Sequence, residues 1–119
     1  MILTLLRILE EATNLKAYPL FTDSAIKDCI VYKANVISDD GAKARHRLEL
    51  RLITHTVSEA ERLKPIIVNA LVNIGDNMKI DGIYEGNMNG GGTLFDEGTQ
   101  TIHSLLYFEY ITKSGVIND

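Results

Sequence analysis

The residue types in this chain that are able to do chemistry are three histidines, one cysteine, a glycine run and three pairs of neighbouring acids. His46 and His55 lie nine positions apart. That odd spacing puts them on opposite faces if one regular strand runs through both. Neither they nor His103 fall into a His-x-His, His-x-x-x-His or Cys-x-x-Cys pattern, so no metal site and no cofactor is expected. Cys29 opens a β-rich run with no neighbour to lower its pKa, which reads as a buried structural thiol and not a nucleophile. The run Asn87-Met88-Asn89-Gly90-Gly91-Gly92-Thr93 lacks the Lys-Ser or Lys-Thr that completes a phosphate loop, and it leads towards a strand and not a helix N-terminus. Asp96 and Glu97 are adjacent, so their carboxylates point apart in an extended segment and suit a solvated loop tip. Asp39 and Asp40 read as turn formers. No catalytic constellation emerges, and the expectation is a binding or structural protein, not an enzyme.

The rest of the composition narrows the classes further. The chain has 119 residues, 45% hydrophobic and 24% charged, with a formal net charge of −4. It reads as a single soluble domain, residues 1–119, with one core. Cys29 is the only cysteine, which excludes a disulfide scaffold and fits a reducing compartment. The longest stretches free of Asp, Glu, Lys and Arg, Pro65 to Gly75 and Gly98 to Phe108, fall short of the roughly 20 residues that a membrane helix needs. Arg7 inside the apolar Met1 to Ala12 segment, and Glu10 and Glu11 at its end, argue against a signal peptide. Residues 1–60 carry equal numbers of acids and bases, so the whole acidic excess lies in residues 61–119. In the first half the bases gather at Lys43, Arg45, Arg47 and Arg51, around His46 and Glu49, as a solvated strand face or a small basic face. The domain is not basic and holds no nucleic-acid module, so sequence-specific nucleic-acid binding is not expected.

The elements that must position these residues follow from periodicity. Ile2, Leu5, Leu6, Leu9 and Ala12 share one helical face, predicting a helix over 3–13 that ends at Thr13 and Asn14. Ala17 to Leu20 holds Pro19, which suits an edge strand or a bend. Cys29 to Ile37 is a strand, Ser38 to Gly41 a turn, and Lys43 to Thr54 a second strand in which Leu48, Leu50 and Leu52 alternate with Arg47, Glu49 and Arg51. These two form an antiparallel hairpin. Thr56 and Ser58 are possible N-caps, Ser58 with Glu61 has capping-box spacing, and Ala60, Leu63, Ile67, Ala70, Leu71 and Ile74 carry a helical face to a C-cap at Gly75. Pro65 inside that helix predicts a kink or an irregular first turn. Met78 to Glu85 reads as a short strand with a bulge at Gly82, and Gly86 to Thr99, with five glycines in fourteen residues, as a long loop. Thr101 to Thr112 is a closing strand, with a frayed tail after Lys113. The expected fold is α+β, an antiparallel sheet of about four strands with two helices on one face, in the order helix, strand, strand, helix, strand, strand.

That long loop calls for an explanation, because such loops are uncommon in compact domains. It carries the apolar Met88, Leu94 and Phe95. It is either an inert hairpin connection or a segment that orders against a partner.

The order of these pieces resembles the tail-terminator, or tail-completion, proteins of long-tailed bacteriophages and prophages. The resemblance spans nearly the whole chain. It rests on the helix Leu3 to Thr13 followed by Ala17-Tyr18-Pro19, on Cys29-Ile30-Val31-Tyr32-Lys33, and on Leu48-Glu49-Leu50-Arg51-Leu52-Ile53 running into the Ser58 helix. The Asp81 to Thr99 region and Tyr107-Phe108-Glu109-Tyr110 complete it. Pro65 departs from the family's pattern.

The resemblance implies a small α+β structural protein of the virion tail, made in the bacterial host cytoplasm, that forms a hexameric ring of its own copies. Such a ring caps the tail-tube protein, stops its polymerisation and presents a docking surface to a head-completion or connector protein, with no membrane involved. It supplies no catalytic residues. A ring needs heterologous contacts, for which the candidates are Arg45, Arg47 and Arg51 on one side and Met88, Leu94, Phe95, Asp96 and Glu97 on the other. The alternatives are a neck or head-completion protein that contacts DNA or the connector through the basic hairpin, and a small-ligand-binding or enzymatic module on the same fold.

Overall fold

The computed structural model describes residues 2–20, 27–72 and 83–114. Its elements are α1 (Ile2–Thr13), β1 (Ala17–Pro19), β2 (Cys29–Asp39), β3 (Lys43–Thr54), α2 (Val57–Leu71), β4 (Ile83–Asp96) and β5 (Thr101–Lys113). The strands form one sheet in the order β1-β2-β3-β5-β4.

The fold starts from period-two alternation in its central strands. Leu48, Leu50 and Leu52 of β3 pair directly with Phe108, Leu106 and Ser104 of β5, and register places the leucines, Leu106 and Phe108 on one face. Leu5, Leu6 and Leu9 of α1 and Leu63, Ile67 and Leu71 of α2 cover that face, and all are buried. This is the expected α+β layering, with both helices on one side of the sheet.

Helix boundaries follow local hydrogen bonding. α1 closes where the chain turns left-handed at Asn14 (φ 58°), whose N–H donates to the Glu10 carbonyl, a conformation that asparagine tolerates. α2 is capped by Thr56, whose hydroxyl accepts from the Glu59 N–H at 3.1 Å. The expected Ser58–Glu61 box is thereby corrected: Ser58 lies inside the helix, and Glu61 pairs with Lys64. α2 ends at Leu71 with the extended Val72 (φ −77°, ψ 126°) as its C-cap, and the expected end at Ile74 and Gly75 lies outside the described residues. The Tyr110 hydroxyl, fully buried, donates to the Leu71 carbonyl at 2.7 Å. Pro65 sits on the exposed side of an uninterrupted helix, and Glu61, whose carbonyl loses its helical donor there, is exposed as well.

Two further expectations change. The sheet has five strands and is mixed, because Ala17–Pro19 pairs in parallel with Ile30–Tyr32. The Ile30 N–H donates to the Lys16 carbonyl and the Leu20 N–H to the Tyr32 carbonyl. That alternation turns the nitrogen of Pro19 outward, where the lack of an N–H costs no ladder bond. The predicted loop Gly86 to Thr99 is instead mostly strand. β4 pairs with β5 from Ile83 to Asp96, with register shifts between Ile83 and Glu85 and between Met88 and Gly91. Glycine lowers intrinsic strand preference, but the long β5 supplies a ladder that outweighs it. The connection shrinks to Glu97–Gln100, where the Asp96 carboxylate accepts from the Gly98 N–H at 2.9 Å. The turn at Asp39 and Asp40 is as expected, with Asp40 accepting from the Ala42 and Lys43 amides. The expected strand over Met78 to Gly82, with its Gly82 bulge, and the expected frayed tail beyond Ser114 lie outside the described residues.

Tyr110→Phe keeps the ring but strands the Leu71 carbonyl. It is expected to lower unfolding stability by about 1–2 kcal/mol, read by chemical denaturation, with no change in far-ultraviolet circular dichroism.

Candidate assembly interface

Among the described residues, no helix or loop covers the face of the sheet opposite the helices. Register places Lys33 of β2, Lys43, Arg45, Arg47 and Arg51 of β3 and Lys113 of β5 on it, with the acids Glu49, Glu85, Asp96 and Glu109. The face is therefore net positive on a chain of formal charge −4. Its charges are sparsely paired: Arg45 approaches Glu109 only to 3.9 Å, and Arg47 stacks on the Tyr107 ring at 4.9 Å. The Arg47 Nε is buried without a hydrogen-bond partner among the described residues.

Beneath these charges lies an apolar floor. Val31 and Ile53 are buried with Cys29 in a small second cluster, and burial, reinforced by Asp28, pushes the Cys29 thiol above its ordinary pKa. The thiol is thus structural in its surroundings. With Leu20, Leu105 and Tyr107, Val31 and Ile53 line a groove of about 340 Å³, rimmed by Lys33, Glu49, Arg51 and His103.

The expected site residues separate by face. Arg45, Arg47 and Arg51 lie together on the open face, and Leu94 and Asp96 join them from β4 opposite His103 and Thr101. Arg51 and Asp96 are linked through His103, which lies 3.5 Å from the Arg51 guanidinium and 4.0 Å from the Asp96 carboxylate. Arg45 and Arg47 face Glu109 and Tyr107, away from the hairpin turn. Met88 belongs to the other face, where it lines a trough with Pro65, Val68 and Val72. Phe95 stands at the register position of Ile102, also on the helix side, and Glu97 lies in the turn. The idea that these residues form one mobile arm is corrected, since β4 holds all but Glu97 in a ladder.

Sequence reasoning missed the floor of the groove. Its signal was present in Thr101 to Thr112, where Leu105 and Tyr107 share a strand face with His103 and Glu109, opposite Leu106 and Phe108.

The histidines are built into the sheet without forming a centre, and the described residues contain no group of three or more His, Cys, Asp or Glu placed to hold a metal ion. His46 is buried 2.9 Å from the Thr112 hydroxyl. His103 lies 3.0 Å from the Thr101 hydroxyl; since arginine only donates, its other ring nitrogen faces Arg51 as an acceptor. Burial lowers the His46 pKa, and burial followed by Arg51 lowers that of His103. The His55–Asp28 contact, 2.6 Å long, joins the start of β2 to the end of β3.

No family model matches the chain, and no curated protein does. Among solved structures, a chain in the structure titled "Virion of native gene transfer agent (GTA) particle" is similar to it over 95% of this chain and 92% of that one, with a TM-score of 0.68 and 15% identity. The two chains share a fold.

Two predictions follow from this geometry. A Cβ at Gly91 would stand 2.3 Å from the Leu105 carbonyl oxygen, whereas at Gly92 it meets nothing within 4 Å. Gly91→Ala is expected to cost about 1–3 kcal/mol and Gly92→Ala to leave stability unchanged or slightly raised, measured by thermal melts. Because both shifted histidines bind protons less readily folded than unfolded, their contribution is present above the ordinary histidine pKa of about 6.5 and is lost as pH falls through and below it. Melting temperature is expected to drop from pH 7 to pH 5 in the wild type, and less steeply in His46→Gln.

Proposed function

We propose that this chain is a structural protein of a phage-type virion and, more specifically, a tail terminator. In this reading it forms a hexameric ring that caps the tail tube, halts tube polymerisation and presents a surface to the head-completion or connector protein. The observation that supports it best is the fold shared over almost the whole of both chains with a chain of a gene transfer agent virion. The order of elements that resembles tail terminators points the same way. So does a five-stranded sheet with one face covered by helices and the other open, apolar at its floor and charged at its rim. Surfaces of that kind, exposed and apolar within a polar rim, suit contacts between proteins.

The role proposed is non-catalytic and uses no cofactor. It places the protein in the virion tail, after assembly in the host cytoplasm. The basic side chains on the open face favour one second reading, a neck protein that touches DNA. The interleaved Glu49, Asp96 and Glu109 weaken it.

Light scattering with and without the tail-tube protein is expected to give the mass of a hexameric ring in at least one of the two conditions. Deleting the gene is expected to leave abnormally long tails without heads by electron microscopy. A strictly monomeric protein together with normal tails in the deletion overturns the proposal, and binding to DNA that weakens steeply with salt favours the neck reading.

A further inference from the structure

The register shift in β4 sets an asparagine and a glycine side by side where neither is held in the ladder. Asn89 is the one asparagine of the chain with glycine directly after it. Pairing passes from Met88, opposite Phe108, to Gly91, opposite Leu106, so Asn89 and Gly90 together face the single position of Tyr107. Such a bulge leaves its extra residue unpaired and blunts the edge of a sheet. Gly90 adopts φ 134° there, and a Cβ on it would stand 3.3 Å from the Tyr107 ring, so the shape of the bulge favours glycine. β4 is the outermost strand of the sheet, and no strand of the described residues braces the bulge from its other side. Asn89 and Gly90 are both exposed, and the Asn89 side chain has no hydrogen-bond partner among the described residues.

We propose that Asn89–Gly90 is a site of spontaneous deamidation in the folded protein, with water as the co-reactant. Solvent base takes the Gly90 N–H proton, and that nitrogen, which no Cβ screens, attacks the carbonyl carbon of the Asn89 side chain. The new N–C bond closes a five-membered succinimide, the C–N bond of the side-chain amide breaks, and ammonia leaves. Water then adds to either ring carbonyl. Opening on one side restores the ordinary backbone with aspartate at position 89. Opening on the other routes the main chain through the side chain as isoaspartate, one methylene longer. Either product adds one negative charge at the sheet edge of a chain whose formal charge is −4.

The turn between β2 and β3 shows how the fold blocks the related reaction of an aspartate. Asp40 also precedes a glycine, but its carboxylate accepts the Ala42 and Lys43 amides at 2.9 and 2.7 Å, and the Gly41 N–H donates to Asp39 at 2.9 Å. Those backbone bonds hold the Asp40 carboxyl below its ordinary pKa, and an ionised carboxylate resists attack by nitrogen. The Asn89 amide is neutral and untied. This inference does not rest on the ring reading.

Incubation of the full-length protein in mildly alkaline buffer tests it. Isoelectric focusing is expected to show an acidic species growing in, and peptide mapping with isoaspartyl-specific methylation to place it at residue 89. Because edge segments open at little free-energy cost, the native rate is expected to be no more than about tenfold below that of the urea-unfolded chain. Asn89→Gln is expected to keep the wild-type circular dichroism and to lose the acidic species, since glutamine must close a larger ring. The rate comparison uses the wild type alone and does not depend on that variant folding. A native rate below that limit, an acidic species that does not map to residue 89, or one that persists in Asn89→Gln overturns the proposal.

Discussion

The structure depends on a single constraint: two helices are enough to cover one face of a sheet and no more. Alternation in β3 and β5 sends Leu48, Leu50, Leu52, Leu106 and Phe108 to the same side. α1 and α2 meet those side chains, and the buried hydroxyl of Tyr110 fixes the end of α2 to the sheet beneath it. Burial of that face drives the fold, because apolar area removed from water is the dominant favourable contribution. Once the helices are spent on that side, the other face of the same strands has no layer of the described residues over it. Its residues must be acceptable to water and still available to a partner.

The open face meets both demands by placing charged side chains over an apolar floor. Lys33 and Arg51 line the groove beside that floor, and long basic side chains of this kind cover apolar surface with their stems while the charged ends stay wet. Tyr107 gives Arg47 a ring to stack on. An apolar floor within a charged rim matches the anatomy of protein interfaces, whose buried core is apolar and whose rim is polar. The glycines of β4 contribute by thinning one flank. Around Gly90 and Gly91 the strand lies so close to β5 that a side chain at Gly91 would strike the Leu105 carbonyl. Thus the same segment shapes the edge of the face and discourages the edge from pairing.

The layered core was legible because alternation and helical periodicity act locally and are carried by many residues at once. The β2–β3 hairpin, α1 and the Asp39–Asp40 turn could all be read from their own few residues. What escaped the sequence depended on partners distant in the chain. Ala17–Pro19 is a strand only because Ile30–Tyr32 lies beside it in parallel, and Gly86 to Asp96 is a strand only because β5 is long enough to hold it. Local composition there signals a loop. For the site, the arginines of β3 were visible as a cluster, and Leu94 and Asp96 joined them once register was known. Met88 and Phe95 fell on the other face, since a strand alternates where a flexible arm would not. Leu105 and Tyr107 went unrecognised because an apolar residue on a strand's wet face is ordinary until a neighbouring strand places Val31 and Ile53 beside it.

The central claim is that the open sheet face becomes buried when the protein assembles. Hydroxyl-radical footprinting of the free chain and of tails purified from the host measures this residue by residue. The account predicts strong protection of Leu94, Leu105 and Tyr107 in the assembled state, with Val57, an exposed residue of the helix layer, changing little. Equal labelling of the open-face residues in both states would contradict it.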